Sequence, residues 1–464
     1  MTKLIEHGLA SLASMVRRRE ASPLEIVEAQ LEQIEKLNGR LNAIVTLAPD
    51  LLDQARAAGQ KLNAPQNIGL LHGVPLTVKD TIETRGLRST SGSRTRAHYV
   101  PSRDAPAVAR LKEAGAIILG KTNAAEMAMD YTGDNPVFGR TNNPHNLTKT
   151  PGGSSAGEAV AIATCLSPGG LGSDLAGSIR IPAHFCGIAG LKPATGHVPG
   201  GGQFPPSTGP YSLGAVIGPM ARSVSDLDLL FRVLTTKTDQ RADVDLKGVA
   251  VAWYADDGVA PVTEETRQAV RAAAQALTDA GLRVVEKRPP HVERGYELWL
   301  QLFSRASVVQ LRSVYQGHEH EAGSFVSWRL KTADATPPPT LDQFIAAWME
   351  RDRLRDELLD WLSETPLIVA PVGATPAYDH DTLKVRVGDQ TIGNFRAFSY
   401  AQAFNVFDLP VVTVPAGSSE DGLPIGVQIV GRPFDEDQLF AAAHIIEEAL
   451  GGWRRPESLF QFSV

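Results

Sequence analysis

Residues 150–193, TPGGSSAGEAVAIATCLSPGGLGSDLAGSIRIPAHFCGIAGLKP, hold the chain's most unusual concentration of glycine and serine. Glycine inside a helix or strand costs roughly 0.5–1 kcal/mol relative to alanine. This density therefore predicts tight turns, one around 152–157 and one around 172–177, each with a serine in it or at its end and an apolar continuation. A hydroxyl set beside several converging backbone N–H groups is what an enzyme needs to attack an acyl carbon and hold the oxyanion that forms. The expected chemistry is acyl transfer through a covalent serine intermediate. Attack at an acyl carbon is shared by amides, esters and carbamates, so the residues alone leave the bond class open.

Two other motifs compete for attention. Gly153-Ser154-Ser155-Ala156-Gly157 fits a nucleophile elbow with Ser155 attacking, as in a Ser-His-Asp esterase, and His291, His380 and His444 follow it in the chain. The preceding NNPHNLTKT is not the apolar strand an elbow requires, and none of the three histidines has a distinguishing setting. Residues 115–122, GAIILGKT, fit the written form of a phosphate-binding loop. Their middle is a β-rich apolar run after a helix, not a backbone cradle after a strand, which argues against nucleotide binding. His184 and His197 lie near the glycine-rich segment, but no pair has metal-ligand spacing with a third ligand. Neither a metal nor an organic cofactor is expected.

The segment resembles the signature of the amidase signature family. LHGVPLTVKD ends an apolar strand at Lys79, Gly152 to Ser155 form a Gly-Gly-Ser-Ser turn, and Gly172 to Arg180 give a Gly-x-Asp-x-x-Gly-Ser-Ile-Arg element. Residues 22–37, 114–123, 138–146, 187–196 and 409–431 share the likeness, and 235–365 are the least characteristic. The resemblance implies an α/β fold with a mixed, mostly parallel central sheet covered on both faces by helices. It implies an amidohydrolase in which Ser178 is acylated, Ser154, preceded by a cis peptide bond, bridges the proton, and Lys79 is the general base. The backbone amides of Leu175, Ala176, Gly177 and Ser178 would form the oxyanion hole. Ser155 either supports Lys79 by a hydrogen bond or merely finishes the turn, and Asp174 and Arg180 are expected to pair and hold the loop. Ala156 and Ala176 stand where glycine is commoner and Ser173 where threonine is commoner. The two alanines add methyl groups near the turn and the expected oxyanion hole, which leaves the shape of the pocket open but not the presence of the three catalytic groups. Tyr131, Thr132 and Gly133 in one loop and Phe204 in another are expected to approach the substrate, and such a lining suits an aryl or medium acyl group.

These groups need elements to hold them. Val74, Leu76 and Val78 face one side of the strand that ends at Lys79, and a lysine at the end of a buried strand is desolvated toward its neutral form. Ser22, Pro23 and Glu25 form a capping box for a helix over 22–37. Periodicity adds helices over 103–114, 157–166, 263–280 and 436–450, with strands over 116–119, 249–253, 367–370, 411–414 and 425–430. Residues 295–362 are helical and bulky, are split by prolines 337–339, and could either cap the site or simply pack. The chain reads as a single domain over 1–464, with a signature core over 68–235, a surface connection over 235–247 and a helical segment over 295–365 that either covers the site or packs.

With 43% hydrophobic and 21% charged residues the chain can bury a large core, and a net charge of −7 gives no basic footprint for nucleic acid or an acidic membrane. Cys165 and Cys186 alone do not make a disulfide framework, and MTKLIEHGLA lacks a leader pattern, so a reducing cytoplasm is expected. No run of eighteen apolar residues occurs. The expected partner is a small-molecule amide, ester or carbamate, with a homodimer compatible. An amidase subunit of a multisubunit transamidase is the alternative function. A catalytically silent binding protein is disfavoured by the joint presence of Lys79, Ser154 and Ser178.

Overall fold

The computed structural model describes residues 4–62, 68–236, 244–335 and 339–457. Most of the expected surface connection and two of the three prolines at 337–339 lie outside them.

Eleven strands form one sheet among the described residues, and two more make a separate hairpin. In chain order the strands are β1 (Ile44–Leu47), β2 (Pro75–Lys79), β3 (Ile117–Thr122), β4 (Gly169–Asp174), β5 (Ala189–Lys192), β6 (Val216–Ala221), β7 (Ala250–Trp253), β8 (Arg283–Glu286) and β9 (Leu367–Pro371). The hairpin strands β10 (Lys384–Val387) and β11 (Gln390–Gly393) follow, and β12 (Val411–Ser418) and β13 (Pro424–Val430) return to the sheet. The spatial order in the sheet is β1-β3-β2-β4-β6-β5-β12-β13-β9-β7-β8. The sheet is mixed: β3-β2-β4 and β9-β7-β8 run parallel, and antiparallel pairs join these groups through the middle. Every residue of β2, β3, β4, β6, β9 and β13 is buried, so both faces of the sheet are covered there, as near-continuous apolar strands demand.

The helices begin and end where local chemistry directs. Ser22 and Glu25 form the capping box of the helix Pro23–Leu41, which runs past residue 37 until Asn42 turns left-handed. Thr263 caps Glu264–Asp279, and Gly281 follows with φ of 92°. GAIILGKT is not a phosphate cradle, because Lys121 and Thr122 lie inside β3 and the Lys121 amine donates to Thr84 Oγ1 at 3.0 Å. The helical stretch after 295 contains Gly295–Trp299, a π-helical turn at Leu300–Ser304, then Arg305–Tyr315, Ser324–Asp334 and Leu341–Glu364.

One expectation is corrected. The glycines at 169, 170 and 172 lie in β4, a buried strand near the middle of the sheet, and the turn starts only after Asp174. Close approach supplies the reason. A Cβ on Gly170 would collide with Glu158 Oε1 and the Thr77 carbonyl, and one on Gly172 would sit 2.9 Å from both Ser155 Oγ and Met220 Sδ. The helix Ala156–Ala163 packs so tightly on β4 that side chains there have no room. Among the described residues no helix is long and apolar enough to cross a membrane, and Cys165 and Cys186 are buried and unpaired with each other.

Candidate active site

Strands β2 and β4 are parallel neighbours, with Thr77 opposite Gly170 and Val78 opposite Leu171, so their carboxyl ends emerge side by side. The amine of Lys79, at the end of β2, donates to Ser154 Oγ at 2.7 Å and to Ser173 Oγ at 2.9 Å. Ser154 lies in the turn before the helix Ala156–Ala163, and the Gly153–Ser154 peptide bond is cis. Ser178 lies in the turn between β4 and the helix Arg180–Cys186. The Ser155 amide donates to the Ser178 carbonyl at 3.1 Å and ties the two turns together. Ser154 and Ser178 line the same cavity, and the Ser178 hydroxyl makes no hydrogen bond among the described residues. The lysine-to-serine hydrogen bond is formed, and the second hydroxyl lies on the same cavity without a direct bond to it.

Burial dominates the electrostatics. It lowers the Lys79 pKa to about 7, against the opposing pull of the Asp174 and Glu158 carboxylates. Burial also works against ionised Asp174, yet the Arg180 guanidinium, aided by hydrogen bonds from Asn405 and the Ile179 amide, holds it well below the usual carboxylate range. Arg180 and Asp174 form a fully buried pair with bonds of 3.1 Å and 3.0 Å, and Arg180 also donates to Ala401 O at 2.8 Å and Gln428 Oε1 at 3.0 Å. This pair and its partners fix the turn that carries Ser178.

Removing one member of a buried pair leaves the other charge stranded. Asp174→Ala is therefore expected to destabilise the fold by about 3–5 kcal/mol in urea unfolding at neutral pH. The sign with pH follows from the lowered pKa. The stabilisation from Asp174 is complete above its unfolded pKa of about 3.9 and is lost as pH falls toward the lower folded value.

In the turn after β4, Leu175, Ala176 and Ser178 line the cavity. The N–H groups of Leu175, Ala176 and Ser178 have no acceptor among the described residues, whereas Gly177 donates to Asp174 Oδ1 at 2.8 Å. Gly177, with φ of 105°, thus shapes the turn and has its donor engaged. The carbonyls are held from outside: Tyr131 OH donates to Ala176 O at 2.9 Å and Trp299 Nε1 to Leu175 O at 3.3 Å. Gln402 Nε2 donates to Tyr131 OH at 2.8 Å.

Ser155 does not reach Lys79. Its hydroxyl donates to the Ser173 carbonyl and accepts from the Ser173 amide, both at 3.3 Å, and the lysine's second partner is the Ser173 hydroxyl. A second expectation also shifts. Tyr131 and Phe204 line the cavity of about 290 Å³, but Thr132 and Gly133 do not. Thr132 Oγ1 donates to Asp130, the Thr132 backbone packs on Gly153, and Gly133 packs on Ala156, so both stand behind the Ser154 turn. The remaining walls are mainly Met127, Trp299, Phe303, Trp328 and Phe395. Three of these come from 295–335, where regular helical periodicity gives no sign of which bulky residues face a cavity. Met127, in the short 3-10 turn Glu126–Ala128, and Phe395, in the turn after β11, carry no sequence pattern that would mark them.

The family model described as Amidase matches residues 25–440. Human fatty-acid amide hydrolase 2 is 31% identical, over 96% of this chain and 89% of its own. A glutamyl-tRNA(Gln) amidotransferase subunit from Roseiflexus castenholzii is 34% identical over 95% of each. A bacterial aryl acylamidase described as one of the amidase signature enzymes superposes with a TM-score of 0.86 at 25% identity, covering 99% of both chains.

Proposed function

The chain belongs to the amidase signature family, whose enzymes hydrolyse carbon–nitrogen bonds, and from that premise we propose that it is an amidohydrolase working through an acyl-enzyme on Ser178. The observation that carries this reading is a fully buried amine with a pKa of about 7, bonded at 2.7 Å to a serine that shares a cavity with a second serine. Near neutral pH such an amine is free to accept a proton. Rotation about the Ser178 Cα–Cβ bond brings its hydroxyl to Ser154 as substrate binds, the tightening common in sites that are loose without ligand.

Ser178 Oγ attacks the acyl carbon while its proton passes to Ser154 Oγ and the Ser154 proton passes to Lys79. The oxyanion is met by the Leu175, Ala176 and Ser178 amides, with Gly177 limited to a donor shared with Asp174. The leaving amine takes the proton back along the same path as the carbon–nitrogen bond breaks. Water then attacks the ester, and the relay runs again to release the acid. No step calls on a metal or an organic cofactor. The aromatic walls suit an aryl or medium acyl group, and esters and carbamates enter the same path because they present the same carbon. The two buried free cysteines suit a reducing cytoplasm.

Likeness to an amidotransferase component supports a second reading, in which the ammonia released feeds another active site. A purified chain that hydrolyses amides on its own in gel filtration speaks for the first. The chemistry is tested by intact mass after a fluorophosphonate probe: one adduct is expected, on the peptide holding Ser178. An adduct on Ser155, or none, would overturn the relay. The Ser155 hydroxyl is bonded to β4, which leaves it poorly placed to attack.

A further inference from the structure

A buried carboxylate close to this site takes no part in the steps above. Glu158 lies in the first turn of the helix Ala156–Ala163 and is fully buried. Its Oε1 accepts from Thr77 Oγ1 at 2.5 Å and its Oε2 from Thr122 Oγ1 at 2.7 Å. Thr77 precedes Lys79 by two residues on β2, Thr122 follows Lys121 on β3, and Lys79 stands opposite Thr122 in the parallel register. The carboxylate is thus held by both strands that present these two buried lysines. Gly170 is part of the arrangement, since any side chain there would occupy the place of Glu158 Oε1.

Two hydroxyl donors and a helix N-terminus favour the ionised carboxylate, while full burial opposes it. Both oxygens are spent on hydroxyls, so Glu158 meets the lysines as a field acting through a dry interior, where charges interact more strongly than in water. We propose that Glu158 is a positioning residue for the relay: a buried counter-charge that keeps the Lys79 amine basic enough to accept the proton coming from Ser178 through Ser154. The inference rests on the relay proposed above.

The charged surroundings agree with this role. Burial raises the Glu158 pKa to about 7, and its threonine bonds together with Lys121 and Lys79 pull the other way. From β4, Asp174 exerts the larger pull of the two carboxylates that oppose burial at Lys79, and it is also paired with Arg180 at 3.0 Å, whereas Glu158 has no guanidinium partner among the described residues. Burial lowers Lys121 to about 8, and Asp80, Glu158, Asp104 and Glu83 favour its charge. Glu158 is the carboxylate common to both amines.

The test uses the rate of fluorophosphonate labelling against pH. Wild type should show a limb rising through about pH 7 and then levelling. In Glu158→Gln the amine loses its counter-charge, so the limb should move down by roughly one pH unit. Labelling near and just below the wild-type midpoint is then several-fold faster relative to its own plateau, the curves converge at lower pH where wild-type Glu158 is itself protonated, and the plateau falls a few-fold because a weaker base accepts the proton. Thr122→Val removes one donor from the carboxylate and should move the limb the same way by less. It decides the matter if the glutamine variant does not fold. A limb unmoved in the folded variants would overturn the inference, since a merely structural Glu158 lowers stability and leaves the midpoint in place. If wild type labels elsewhere than Ser178 or shows no limb, the relay itself is what fails.

Discussion

Ser178→Ala is expected to lower kcat by at least about 10⁴-fold and to abolish the probe adduct, while leaving the unfolding midpoint near that of wild type. The size follows from what is removed. Without the Ser178 oxygen no acyl-enzyme forms, and the amides of the turn and the cavity walls can only assist attack by water, which leaves a small residual rate. The fold is spared because the Ser178 hydroxyl makes no hydrogen bond among the described residues and the turn is held by backbone and by Asp174. Ser155→Ala is the control. It removes only two bonds of 3.3 Å to β4 and leaves the hydroxyl at 178 untouched. Steady-state kinetics on one amide substrate compare the pair, and a Ser155 variant as inactive as the Ser178 variant would count against the assignment.

The second large effect concerns the base. Lys79→Met is expected to reduce kcat by on the order of 10²–10⁴-fold and to erase the acid limb of the pH profile. The sign of the wild-type profile is fixed by which form works. The neutral amine accepts the proton, so below a pKa of about 7 the active fraction, and with it kcat/KM, falls tenfold per pH unit. Above that value the rate levels. A carboxylate or histidine base would produce a rising limb too, but one that survives in Lys79→Met. Ser173→Ala removes the lysine's second hydrogen bond and should have a far smaller effect, because Ser154 still holds the amine.

Much of this is legible in the chain because it depends on short-range rules. Capping residues mark the start of the helix Pro23–Leu41, apolar runs mark β2, β3, β9, β12 and β13, and the expected Asp174–Arg180 pair is present at 3.0 Å. What escapes is set by contacts between distant segments. Glycine's intrinsic cost points away from a strand at 169–174, and only the proximity of Glu158, Thr77 and Ser155 makes glycine the residue that fits. Ser173, in sequence no more than a variant of a commoner threonine, holds the lysine's other side. Nearness in sequence to Tyr131 points Thr132 and Gly133 toward the cavity, but Gly153 and Ala156 draw their loop behind the turn. The cavity walls from 295–335 depend on how helices pack, which periodicity alone does not encode.

The anchoring of Arg180 carries a consequence for biosynthesis. Lys79, Ser154 and Ser178 all precede Arg180, yet the guanidinium that braces the last of them leans on Ala401, Asn405 and Gln428, more than 200 residues further on. A nascent chain still lacking that distal portion already holds the three residues of the proposed relay but not the partners that anchor Arg180. A chain cut before residue 399 is therefore expected to lose the bracing of the Ser178 turn by the helix Ser399–Val406 and by β13, and with it the labelling proposed above.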